Sequence, residues 1–254
     1  MVDTNQITVI SFDTINDAIQ EYNECKNCLQ KEGLVIIKNC YSRKYINDIK
    51  DYLSIVGKSS LPTYEPVVYG APNFHRVVRK DKRSYVLGSF HQFSFFPWNQ
   101  DPLNLFKEFS SIYELKHSLS HGKSTEFDWE ITDKSLVLPR LSFQHYPKGE
   151  GFLSRHADPA GDYQDFVATL CMSRPGDGYD TGGLYFKNKS GICFPESIAD
   201  IGDVFIFKAD IPHGVEPIND QENVNWLNFD GRWMMIFATN LNQDINNKIH
   251  SVQT

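Results

Sequence analysis

Ser154-Arg155-His156-Ala157-Asp158-Pro159 sets an imidazole and a carboxylate two positions apart, where a β-rich run meets a proline. In an extended chain, residues two apart point to the same side. His156 and Asp158 can therefore offer two adjacent ligands to one metal ion from a single strand end, and this pair of donor types suits a first-row divalent ion. Alone, His-x-Asp is a pattern that a chain of this size meets by chance. It gains weight from what lies 55 residues beyond Asp158. There Gly202-Asp203 reads as a turn, Val204–Phe207 as a buried strand, and Pro212-His213-Gly214 as a strand–loop junction carrying a second histidine. The intervening stretch has room for several short strands that return the chain to the same mouth. His156, Asp158 and His213 then form a facial triad that leaves the other metal positions open, an arrangement that points to non-haem iron(II) chemistry.

Arg232 opens the strongly apolar stretch Trp233-Met234-Met235-Ile236-Phe237. An arginine entering a barrel interior is costly to desolvate unless an anion pairs with it. Its planar fork suits bidentate capture of a carboxylate. By itself the position also fits a rim arginine snorkelling to solvent; together with the triad, the anion-binding reading is the stronger one.

Outward from these residues, short β-rich runs (Leu136–Tyr146, Phe166–Met172, Val204–Phe207, Val224–Leu227 and Arg232–Thr239) are separated by Gly, Pro, Asp and Asn clusters. Several such strands without intervening helices indicate a sandwich or barrel. The expected fold is mainly β with flanking helices, a double-stranded β-helix or jelly roll. Helical periodicity belongs to the first part of the chain. Ile15, Ala18, Ile19 and Tyr22 follow an Asp13-Thr14 cap, with Gly33 at the expected end; Leu34-Val35-Ile36-Ile37 follows as a buried strand. A second helix is expected from about Ser42, with Ile46, Ile49 and Leu53 on one face and Gly57 at its end. A third begins after Asp101-Pro102, carries Phe106, Phe109 and Tyr113, and closes at Gly122. Residues 1–254 are read as one domain, with 1–135 as a helical, buttressing part and 136–240 as the jelly-roll core.

Composition sets outer bounds. Hydrophobic residues at 41% and charged residues at 22% fit an ordinary globular chain. A net charge of -7 argues against a general nucleic-acid binder. No apolar run approaches the roughly 20 residues of a membrane span. The N-terminus carries no basic segment followed by an apolar one, so the expected location is cytoplasmic. Of five cysteines, Cys25 and Cys28 form a C-x-x-C, read as thiols on an amphipathic helix because no second ligand pair accompanies them.

Together these residues resemble the iron(II)/2-oxoglutarate-dependent oxygenase superfamily, whose pattern is H-x-D/E, a distal His and a basic residue further on. The match runs from about Leu136 to Asn240, and includes His213-Gly214-Val215 and the preceding Phe143-Gln144-His145-Tyr146-Pro147. It leaves the prolyl-hydroxylase-like and phytanoyl-CoA-hydroxylase-like branches unresolved. The resemblance implies that His156, Asp158 and His213 hold Fe(2+), that Arg232 anchors 2-oxoglutarate with help from Tyr146 and Gln144, and that O2 is the oxidant. Two departures stand out: Arg232 follows His213 by 19 residues, with Asn219–Asn223 as an inserted turn, and Trp233-Met234 replaces the R-x-S of the isopenicillin-synthase-like branch. A carboxylate at Asp158 argues against the halogenating members.

The implied activity is hydroxylation of an unactivated C–H in a small molecule, with release of succinate and CO2. The same chemistry on a protein or lipid-linked substrate is the first alternative. A non-enzymatic, cupin-like metal-binding barrel is the second; it would leave Arg232 facing solvent and close the metal site with a fourth ligand such as His145. Candidate substrate contacts are Arg155 and Arg174, for which solvated surface positions are the stronger reading, and His91. The stretch Ser89–Asn99 around His91 suits either a pocket wall or a core strand, and the basic Asn73–Arg83 either meets an anion or forms a solvated hairpin or lid.

Overall fold

The computed structural model describes residues 7–60, 73–79, 86–121, 137–160, 164–189 and 191–241. In chain order the elements are β1 (Val9–Phe12), α1 (Ile15–Gln20), α2 (Tyr22–Gln30), β2 (Leu34–Ile37), α3 (Arg43–Ser59), β3 (Asn73–Val77), β4 (Gly88–Phe95), α4 (Leu105–Glu108), α5 (Ser110–His121), β5 (Val137–Pro147) and β6 (Phe152–His156). They continue with β7 (Phe166–Cys171), β8 (Arg174–Pro175), β9 (Gly178–Tyr179), β10 (Gly183–Asn188), β11 (Gly191–Cys193), β12 (Val204–Lys208), β13 (His213–Glu216) and β14 (Gly231–Leu241).

The strands run side by side in the order β1-β2-β12-β7-β14-β5-β4-β6-β13-β10-β11, with β3 attached to β4. Strand β4 joins the two halves of this curled sheet: His91–Phe95 pair with β5, whereas Gly88 and Ser89 pair with Leu153 and Phe152 of β6. The result is the expected jelly roll. Its outer face packs on the helices, where Leu29, Ile46, Ile49, Leu53, Phe109 and Tyr113 share one core with Phe143, Met235 and Phe237. Its interior holds Leu34, Ile36, Val167, Phe186, Phe205 and Phe207. Period-two alternation sorts β14 between these layers: Trp233, Met235 and Phe237 turn to the helices, and Arg232, Met234 and Ile236 turn inward. Each fully buried Phe or Leu contributes roughly 1.5–3 kcal/mol, so the outer layer is the larger share of the apolar stabilisation.

The first part of the chain does more than buttress, because β1, β2 and β4 are integral strands. The expected first helix is broken at Glu21 into α1 and α2, with Thr14 accepting from the amide of Asp17 as its cap. It ends at Gln30 rather than at Gly33. Helix α3 starts from Ser42, whose hydroxyl accepts from the Tyr45 amide. Asp101 caps from a distance: its two carboxylate oxygens accept from Leu105 and Phe106 at 2.8 and 3.1 Å, and the short α4 separates it from α5. Gly122 lies outside the described residues. Val224–Leu227 is no strand; Asn225 Oδ1 accepts from the Leu227 amide at 3.1 Å and bends the chain instead. Cys25 and Cys28 are buried thiols on α2, and burial pushes both upward in pKa, that of Cys25 to about 12. No helix among the described residues is long and apolar enough to cross a membrane.

Candidate metal centre

Strand β6 ends at His156 and β13 begins at His213, and the two residues are direct cross-strand partners. Their rings lie with centroids 4.3 Å apart. Asp158 continues past the strand end, its amide donating to the carbonyl of Ala209 at 2.9 Å, which anchors the segment to the turn between β12 and β13. Its carboxylate then spans both imidazoles, Oδ1 at 3.7 Å from His156 Nε2 and Oδ2 at 3.6 Å from His213 Nε2. One ligand atom from each residue falls within 4.8 Å of the other two.

Both histidines are oriented in the same way. His156 Nδ1 is 2.9 Å from the Ser154 carbonyl, and His213 Nδ1 is 2.9 Å from that of Ile211. A carbonyl can only accept, so Nδ1 carries the proton and the Nε2 lone pair faces the shared gap. Burial lowers the pKa of His213, with Asp158 opposing and His156 assisting, which keeps the ring neutral and able to ligate. Phe186 and Phe207 flank that ring at 5.8 and 5.1 Å. The donor set of two imidazoles and one carboxylate fits a first-row divalent ion.

Arg232 is fully buried at the start of β14 and already has an anion. Its Nε donates to both carboxylate oxygens of Glu196, at 2.8 and 3.1 Å. Nη2 lies 2.7 Å from Oε1 in ion-pair contact but without hydrogen-bond alignment, and Nη1 has no partner among the described residues. Glu196 also accepts from Tyr179 Oη at 2.5 Å and from the Leu184 amide at 3.0 Å. Burial by itself lowers the affinity of this guanidinium for its proton; the Glu196 charge outweighs that and shifts Arg232 upward. Removing one member of such a pair costs about 3–5 kcal/mol, because the other is left as a lone buried charge.

Tyr146 stands opposite Arg232 on β5, with the guanidinium 5.0 Å from its ring. Its hydroxyl donates to Gln144 Oε1 at 2.6 Å, Gln144 Nε2 donates to Gln92 Oε1 at 3.3 Å, and Gln92 Nε2 donates to Ser94 Oγ at 3.2 Å. This polar ladder climbs the inner face of β5 and β4. Burial raises the Tyr146 pKa, with Arg232 opposing and the Glu196 and Asp158 charges assisting.

The other sequence candidates are not brought here. His91 lies on the outer face of β4, with Nδ1 3.1 Å from His145 Nδ1, among Phe74, Trp226 and Phe229. The Ser89–Asn99 stretch thus resolves into a core strand, with Gln92 and Ser94 as its inward residues. His145 shares the outer face, its Nε2 3.1 Å from the Asp230 carbonyl, and is no fourth ligand. Arg155 alternates outward between Ser154 and His156 and is exposed. Arg174 pairs with Asp200 at 3.6 Å on the surface. In the basic stretch, Arg76 lies over Trp226 and Arg79 over Phe152, at 5.2 and 4.4 Å. Lys80–Arg83 fall outside the described residues. Sequence reasoning missed Glu196 and Tyr179, which no local motif marks.

No protein-family model matches the chain, and no curated protein matches it. Among solved structures, the chain is similar to a full-length Neurospora crassa protein in complex with alpha-KG and thymine, at 17% identity and a TM-score of 0.55, over 95% of this chain and 88% of that one. A Trichoplax adhaerens prolyl hydroxylase in complex with a hypoxia inducible factor peptide fragment matches at 14% identity and a TM-score of 0.53, over 90% and 94%. JOX2 in complex with 2OG, Fe and JA matches at 12% identity and a TM-score of 0.55, over 96% and 78%. The likeness is one of fold, and it extends over nearly the whole jelly roll.

Proposed function

We propose that this chain is an iron(II)- and 2-oxoglutarate-dependent oxygenase that hydroxylates an unactivated C–H of a small molecule. The observation that carries this reading is the triad itself, with both Nε2 atoms and the Asp158 carboxylate turned to one gap. His156, Asp158 and His213 would hold iron(II), and Arg232 and Tyr146 would receive the distal end of 2-oxoglutarate. When bound, iron and 2-oxoglutarate supply the oxidising chemistry with O2, and succinate and CO2 leave.

The chain's own residues set the geometry. The two Nδ1–carbonyl bonds fix ring tautomer and direction, as outer-shell partners of metal ligands do. Nη1 of Arg232, without a hydrogen-bond partner among the described residues, is a donor suited to a carboxylate oxygen. The side chains of His156, Asp158 and His213 are only 9%, 12% and 9% exposed, which restricts access and excludes bulk water. That enclosure and the ladder of Gln92, Ser94, Gln144 and Tyr146 favour a small, polar substrate. The Neurospora crassa structure holds thymine and the Trichoplax enzyme a peptide, so the fold accommodates both kinds of ligand.

One observation favours a second reading, a metal barrel that takes no 2-oxo acid: Glu196 already neutralises Arg232. The test is anaerobic titration of the protein with iron(II) and 2-oxoglutarate, following the visible charge-transfer band of a chelated keto acid. The oxygenase reading expects the band in the native protein and its loss in His213→Ala. It expects a higher 2-oxoglutarate requirement in Arg232→Gln. Iron binding without the band would leave the metal barrel.

A further inference from the structure

Beyond the triad and its arginine, the interior contains a second full charge, the Glu196 carboxylate, which is 2% exposed. It is held by three residues. Arg232 Nε spans both oxygens, Arg232 Nη2 touches Oε1, and Tyr179 Oη and the Leu184 amide both reach Oε2. Gly183 makes room for it: a Cβ at that position would lie 2.9 Å from Glu196 Oε2 and 2.9 Å from Tyr179 Oη. This is a built pocket for a carboxylate that belongs to the chain itself.

Its effect on a bound 2-oxo acid follows from charge counting. Arg232 and Glu196 together are neutral. A cosubstrate ending in a carboxylate would make the cluster one arginine between two anions, each competing for the same guanidinium. The edge formed by Nε and Nη2 is already spent on Glu196, so Nη1 is what remains to the ligand. Like charges sharing a dry site repel strongly. A cosubstrate ending in a methyl group meets no such repulsion.

We propose that Glu196 is a specificity-determining residue: by pairing with Arg232, it makes the far end of the pocket discriminate only weakly for a distal carboxylate on the 2-oxo acid. This rests on the oxygenase reading above. Glu196 also positions the guanidinium, and the charge effect separates that role from a purely structural one.

The experiment compares two 2-oxo acids of equal chain length, 2-oxoglutarate and 2-oxopentanoate, which lacks the distal carboxylate. Each is titrated anaerobically into the iron(II)-loaded full chain, and dissociation constants are read from the charge-transfer band and from calorimetry. In the native protein the preference for 2-oxoglutarate should be less than about tenfold. In Glu196→Gln it should grow on the order of tenfold, through tighter 2-oxoglutarate binding with 2-oxopentanoate unchanged. The double variant Glu196→Met/Arg232→Met, which replaces the pair by apolar groups, should bind both acids alike and keeps the test available if the single variant fails to fold. A preference that is unchanged in Glu196→Gln, or two constants that shift together, would overturn the proposal; so would a native preference above about a thousandfold. If neither acid binds the iron-loaded native protein, the oxygenase reading falls and this one with it, a result distinct from an unchanged ratio.

Discussion

The Nζ of Lys116 donates to the main-chain carbonyl of Phe237 at 2.7 Å, joining helix α5 to strand β14. One turn earlier, Tyr113 Oη donates to the carbonyls of Arg140 and Ala238 at 2.7 and 3.0 Å. Strand β14 pairs with β7 only over Met234–Ile236, so α5 supplies donors just where these strands part. Lys116 is 3% exposed, and burial lowers its pKa to about 7, with Asp158 opposing and Arg140 assisting.

That shift has a definite sign. The unfolded chain holds this proton up to its ordinary pKa of 10.5, whereas the folded chain releases it above about 7. Between those values the unfolded state binds more protons, so stability rises with pH. Thermal melts should show stability increasing from pH 7 toward pH 10, by up to roughly 4 kcal/mol. Lys116→Met should flatten the rise. An equal rise in the variant would rule out Lys116 as its source.

At the acid end, His145 acts with the same sign. Burial depresses its pKa to about 4, although its bond to the Asp230 carbonyl works against that. The unfolded imidazole takes up a proton below about 6.5 and the folded one only near 4, so stability falls as pH drops across this window, by up to roughly 3 kcal/mol. Replacing His145 by Gln should shrink the loss in equilibrium denaturation at pH 6.5 and pH 4.5. An undiminished loss would point elsewhere.

His156→Ala and Asp158→Ala each remove one ligand from a set otherwise held by main-chain bonds. Iron(II) affinity should fall by more than the roughly 10–100-fold that loss of an outer-shell partner costs. Far-UV circular dichroism should stay as in the native protein. Metal binding retained at native strength in either variant would exclude the triad as the metal site.

Gly183 and Gly176 both adopt positive φ, +117° and +81°, but only Gly183 is crowded by neighbours; a Cβ at Gly176 would meet nothing within 4 Å. Gly176→Ala should therefore cost about 1 kcal/mol, the backbone share alone. Gly183→Ala should cost more, about 2–3 kcal/mol, because Glu196 and Tyr179 must shift. Urea unfolding of the two variants compares these directly, and equal losses would mean that the Glu196 pocket yields freely.

The triad was legible because its geometry is written locally: two ligands share one strand end, and the third follows a recognisable turn and strand. Tyr146 and Gln144 were legible as sharing one face of β5 by alternation, whereas Arg232 was legible as inward only beside the triad, since a strand-opening arginine also fits the rim. Glu196 was not, because Pro195-Glu196-Ser197 looks like an exposed turn and its partner is 36 residues away across the barrel. A buried arginine does require an anion, and here the chain supplies that anion itself. His91 could not be sided from sequence, because Ser89–Phe96 carries polar residues on both faces, His91 on one and Gln92 and Ser94 on the other. Val224–Leu227 has strand-like composition, but Asn225 and the preceding Asn219 turn divert it.

Strand β2 pairs with β12, so Ile37 finds its partner only when Val204 has been made, 167 residues later. At ribosomal speeds of about 5–20 residues per second, the Leu34-Val35-Ile36-Ile37 edge waits about 10–30 s. At the start of that interval its cover is limited to helices α1 and α2 and the parallel neighbour β1, and the elements made next add to it without pairing its free edge. The nascent chain therefore carries an open strand edge from its first fifth onward, and a chaperone acting on this protein would find a target there, long before the metal ligands exist.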